Sequence, residues 1–134
     1  MDKEINLTAD DFQEEEDIYY AELEDVNILF EKDYINEDMT LEDAALISKS
    51  YLRDYYEKKD KIIEKILSQD SSSFKFFDGY NEEQLKECLG VPTIDLSNYC
   101  VNWMNPDPNK LGDHWVGYDF KKSIDDFDSY YIQG

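Results

Sequence analysis

The sequence predicts an α+β fold in one domain spanning residues 1–134, an antiparallel sheet with one long and one short helix packed on one face. Three observations carry this expectation. Short β-branched and aromatic runs with period-two alternation stand toward both ends of the chain. A long stretch of three- and four-residue apolar spacing begins at Thr40. The length, 134 residues, suits one domain and is short for two.

Taken in order, Ile5 and Leu7 alternate with polar neighbours and predict an early strand, within an acidic segment, residues 1–16, that also reads as partly disordered. Ile18 to Leu23 and Val26 to Phe30 are two further strands, joined as a hairpin through Glu24-Asp25. In the second, Val26, Ile28 and Phe30 form the apolar side. Thr40-Leu41-Glu42-Asp43 resembles a capping box with Asp in place of Glu or Gln. Leu41, Ala45, Ser48, Leu52, Tyr55, Lys59, Ile62 and Ile66 then recur at steps of three and four on one helical face, while the other side is rich in lysine. This predicts a helix over 41–67, with a break expected near Lys58-Lys59-Asp60 and a loop over Ser68–Ser73. Asp78-Gly79 signals a turn. Asn81-Glu82-Glu83-Gln84 opens a short helix that Gly90 and Pro92 close, with Leu85, Cys88 and Leu89 buried. Thr93–Leu96, Tyr99–Trp103, His114–Phe120 and Asp128–Ile132 read as strands, with Val116, Tyr118 and Phe120 sharing one face.

Composition limits the function. The chain has 33 Asp and Glu against 13 Lys and Arg, a formal net charge of −20. Such a surface repels a phosphate backbone and an anionic membrane, so no nucleic-acid or membrane partner is expected. Aromatic residues reach 15%, far above what acidic disordered chains carry, which argues for a packed core. No apolar run approaches the ~20 residues of a membrane helix, and MDKEINLTADD lacks the basic and apolar regions of a secretory signal. With two unpatterned cysteines, Cys88 and Cys100, the expectation is a cytoplasmic protein with reduced thiols. Twelve lysines to one arginine, with abundant Asn, Ile and Tyr, suggest a bacterial, AT-rich coding sequence.

Catalytic signatures are sparse. The single histidine, His114, has no zinc-spaced companion, and Cys100 sits in an apolar pattern where a thiol is normally inert. Asp107, Asn109 and Gly112 match three positions of a calcium loop, but Leu111 and Tyr118 occupy two others that must supply oxygen ligands. No phosphate-binding glycine motif or nucleophile elbow occurs. The expectation is a protein that is not an enzyme and uses no metal or cofactor.

What remains is binding. Residues 1–43 hold 17 acids and two bases, and Asp10–Asp25 holds nine carboxylates with no base. A charge block of this kind speeds encounter with a basic protein, and aromatic side chains supply contact area. The candidate partner-binding residues are therefore Glu14, Glu15, Glu16, Asp17, Tyr19, Glu22, Glu24 and Asp25. Of Tyr19 and Tyr20, one must face inward on a strand.

The run from Leu85 to Gly90, Thr93–Leu96, Gly112-Asp113-His114-Trp115-Val116, and Asp119-Phe120 closing on Gly134 resembles small acidic bacterial immunity-protein domains of polymorphic-toxin and contact-dependent inhibition systems. The resemblance implies a cytoplasmic antidote that binds and blocks one cognate toxin, commonly a basic nuclease. It carries over no individual residue. Two other readings compete: a nucleic-acid mimic of the anti-restriction type, and an interaction module of unspecified partner. The near-neutral long helix weighs against a mimic, which would need carboxylates along its whole length.

Overall fold

A computed structural model describes residues 5–104 and 114–133. Among these residues seven strands, β1 (Gln13–Glu14), β2 (Ile18–Glu22), β3 (Asn27–Glu31), β4 (Thr93–Asp95), β5 (Cys100–Trp103), β6 (Trp115–Phe120) and β7 (Phe127–Gln133), form one sheet in sequence order. Helices α1 (Leu41–Ser72) and α2 (Glu82–Leu89) lie between β3 and β4 in the chain. Every neighbouring pair is antiparallel except β3 and β4. That parallel pair departs from the purely antiparallel sheet expected. The two helices carry the chain across to the end at which β3 begins, so that Thr93 lies beside Asn27, and a strand started there must run the same way.

Register explains where the core sits. Ala21, Ile28, Ile94, Val101, Tyr118 and Tyr130 follow one another across the sheet as directly paired residues. The first five are buried, and Phe30, Trp103, Val116 and Phe120 share their face. Against it packs the apolar side of α1, including Ala45, Leu52, Tyr55, Ile62 and Ile66, together with Leu85, Cys88 and Leu89 of α2. Residues 5–12 join the same layer: Ile5, Leu7 and Phe12 are buried, with the Phe12 ring 5.1 Å from that of Phe30. The alternation at Ile5 and Leu7 thus marks burial without strand pairing, and the first strand is Gln13–Glu14 instead.

Both helix starts follow the sequence. Thr40 accepts from the Asp43 N–H at 3.1 Å while Asp43 accepts from the Thr40 N–H at 3.1 Å. Asn81 and Gln84 exchange the same two bonds at 2.8 and 2.9 Å. The far end of α1 does not follow it. The helix runs unbroken past Lys58-Lys59-Asp60 and on to Ser72. The charged stretch is tied down, since Lys58 and Lys61 reach Asp125 at 3.2 and 3.4 Å and Asp60 meets Lys86 at 2.6 Å. The last turns are held by Asp70, buried and accepting from the Phe76 and Phe77 N–H groups at 3.1 and 2.7 Å and from the Tyr130 hydroxyl at 3.2 Å. Among the described residues no helix is long and apolar enough to cross a membrane.

Candidate functional site

The sheet has a second face, formed by the alternate residues of each strand. On β2 these are Ile18, Tyr20 and Glu22; on β3, Asn27, Leu29 and Glu31; on β4, Thr93 and Asp95. None of these eight is fully buried, whereas Ala21, Ile28, Phe30 and Ile94 on the core side are. At the β5–β7 end, Tyr131 lies over Gly117, where an added Cβ would stand 2.6 Å from its ring. Its hydroxyl donates to Asp119 at 3.3 Å. Cys100 is consequently buried although it belongs to this outer face. Burial, then the Asp95 and Asp119 carboxylates, push its thiol up to about 11, so the thiol is protonated at neutral pH.

At the β2–β4 end this face is concave. Glu15, Ile18, Tyr20, Glu22, Asn27, Leu29 and Thr93 line a groove of about 390 Å³. A second cleft of about 440 Å³, lined by Glu16, Asp17, Glu31, Lys32 and Asp33, lies alongside. Ile18, which lines the first, is directly paired with Glu31, which lines the second. The loop Glu15–Asp17 shapes both: the Glu15 N–H donates to the Ile18 carbonyl at 2.9 Å, and the Asp17 carbonyl accepts from the Lys32 N–H at 2.9 Å.

The structure sorts the candidate residues into two groups. Glu15, Glu16, Asp17 and Glu22 are exposed and border this pair of depressions. Glu14 stands on the edge strand β1 with Lys32 at 3.0 Å. Tyr19 is the inward tyrosine, its ring 5.8 Å from that of Phe30 with the Lys32 ammonium 5.7 Å from its centroid. Asp25 turns toward α1 and accepts from the Tyr56 hydroxyl. Glu24 is exposed in the β2–β3 turn, outside the groove.

Ile18, Leu29 and Glu31 belong to the site and are not among the candidates read from the sequence, and Tyr20, which the sequence marks together with Tyr19, is the tyrosine that reaches it. Strand parity was the available signal: once Ala21, Ile28 and Phe30 face the core, Tyr20 and Leu29 face away from it. The Tyr20 hydroxyl donates to Gln13 at 2.8 Å. Loss of solvent around it, followed by the Glu15 and Glu22 carboxylates, raises the phenol above its ordinary value. An aromatic ring in a negative field is well suited to a cation.

Among the described residues, the cysteine–histidine pair that the sequence offers for nucleophilic chemistry, Cys100 and His114, is not brought together. Cys100 pairs with Asp119, five residues along β6 from His114, which separates the two by roughly 17 Å at strand spacing. His114 instead packs against Phe76, the rings tilted with centroids 5.0 Å apart. Among the described residues no group of three potential ligands is placed to hold a metal ion. The partial calcium pattern at residues 107–112 lies outside the described residues, while Tyr118 is buried and donates to the Ile124 carbonyl at 2.7 Å. Comparison with protein-family models, curated proteins and solved structures finds no match to this chain.

Proposed function

We infer that this protein is an inhibitory binding partner of a basic protein, an immunity-type antidote to a nuclease-like toxin, and that it docks through the β2–β4 end of the outer sheet face. The observation carrying this reading is the combination at that end: apolar and aromatic side chains in a groove, bordered by Glu15, Glu16, Asp17 and Glu22. Aromatic contact area with uncompensated charge around it is the composition of an interface hot spot with a steering rim. A toxin that cuts nucleic acid must itself present a basic cleft, so an acidic protein can both find it quickly and cover what it uses.

A nucleic-acid mimic is the weaker reading. Over its 32 residues α1 carries seven acids and six bases, with lysines interleaved among the carboxylates. A phosphate-like row of charge needs the carboxylates without the lysines.

The test is affinity capture on the full chain at low salt and again at ~150 mM, where the Debye length is about 8 Å, followed by nuclease assay of the captured protein. The reading predicts one basic protein retained at the higher salt, its nuclease activity abolished by one equivalent of this chain. A salt-labile mixture of basic proteins, or retention without inhibition, contradicts it.

A further inference from the structure

We propose that the β2–β4 groove is a receptor for a single arginine side chain of the partner, with the guanidinium against the Tyr20 ring and between the Glu15 and Glu22 carboxylates. This rests on the reading of the protein as a binder of a basic partner, and it specifies what that partner presents.

Ile18, Tyr20 and Glu22 project from the same side of β2, so Tyr20 lies about 6.5–7 Å from each along the strand. Leu29 is directly paired with Tyr20 and Asn27 with Glu22, which extends the floor onto β3. Glu15 closes the opposite side from the β1–β2 loop. The floor is therefore apolar and aromatic at Ile18, Tyr20 and Leu29, with Asn27 and Thr93 as its polar members, and the two walls are anionic. Among the described residues neither Glu15 nor Glu22 has a lysine or arginine partner, whereas nearby Glu14 is matched by Lys32 at 3.0 Å.

Those features select the occupant. An anion is excluded by the walls. A small hydrated cation gains nothing from Ile18, Leu29 and the ring. A long side chain with an apolar stem and a cationic head uses both. Arginine is favoured over lysine because its planar, weakly hydrated guanidinium stacks on a ring and offers donors to two carboxylates at once. The groove, about 390 Å³, has room for one such side chain and its flanking backbone.

The probe is N-acetyl-arginine-N-methylamide, titrated into the full isotope-labelled chain at low salt and followed by amide and Tyr20 ring shifts. Its lysine counterpart is titrated in parallel. Saturable shifts centred on Ile18, Tyr20, Glu22 and Leu29 are expected, with the arginine probe binding about threefold or more tighter than the lysine probe. Glu22→Gln and Tyr20→Leu should each weaken the arginine probe by roughly three- to fivefold. The exposed control Glu42→Gln should leave it unchanged. Shifts spread evenly over the acidic surface, equal affinity for the two probes, or indifference to Glu22→Gln and Tyr20→Leu would each overturn the assignment. Such a failure alongside a captured and inhibited nuclease would remove the pocket and leave the functional reading standing. A saturating probe without an inhibited nuclease would do the reverse.

Discussion

Two carboxylates, Asp70 and Asp125, are buried among the described residues, and they are satisfied in different ways. Asp70 accepts only from uncharged donors, two backbone N–H groups and a phenol. Asp70→Ala would leave the Phe76 and Phe77 amides without acceptors, and an unpaired buried donor costs about 1–3 kcal/mol. A loss of about 2–4 kcal/mol in denaturant unfolding is expected, whereas a loss under ~0.5 kcal/mol would show that the amides find water instead. Asp125 is held by the Ser123 hydroxyl at 2.7 Å and by Lys58 and Lys61. Ser123, then Lys58 and Lys61, depress its carboxyl well below the usual range. Its folded-state value therefore lies below its unfolded value of about 3.9, so its contribution is complete above about pH 5 and is lost as pH falls through 4 and below. The stability gap between the wild type and Asp125→Asn should accordingly narrow between pH 6 and pH 3, and a constant gap would contradict the ion-pair account.

At the scale of elements, α1 separates what local sequence determines from what it does not. Its start was legible because Thr40 and Asp43 form a closed local motif, and Thr40→Ala should cost about 1 kcal/mol in thermal or denaturant unfolding. Its end was not. Gln69, Ser71, Ser72 and Ser73 have no helical signature, and the Ser72 and Ser73 hydroxyls turn back to the Gln69 carbonyl at 3.0 and 2.6 Å. What keeps those turns helical is Asp70, whose partners are six, seven and sixty residues away in the chain. The expected break at Lys58–Asp60 failed for a similar reason: a run of charge looks like a solvated interruption until Asp125 and Lys86 are brought to it. Amide exchange of residues 58–61 should be as slow as that of residues 52–55, and a fast-exchanging island there would contradict a continuous helix. The strands were easier, since their burial follows simple alternation, but the parallel β3–β4 pairing depends on where two helices return the chain. Tyr20 was missed at the site for a related reason. Local composition marks both tyrosines, and only the pairing of β2 with β3 decides which one reaches the groove.

For the whole molecule, charge sets both a cost and a use. A net charge of −20 on 134 residues repels itself, and the first 43 residues carry most of it. Raising salt from ~10 to ~200 mM shortens the Debye length from about 30 Å to under 10 Å, so the thermal midpoint should rise with salt over this range. The same screening should slow association with a basic partner. The use is directional, because Glu14, Glu15, Glu16, Asp17, Glu22 and Glu31 gather along β1–β3 while α1 balances its own charge. The most direct measurement is therefore the association rate of the captured partner with two charge-matched variants. In one, Glu14, Glu15 and Glu16 become Lys; in the other, the exposed helix residues Glu42, Glu57 and Glu64 do. Slower association and a flatter salt dependence for the first variant alone are expected, while equal slowing of both would show that the partner responds to total charge and not to this face.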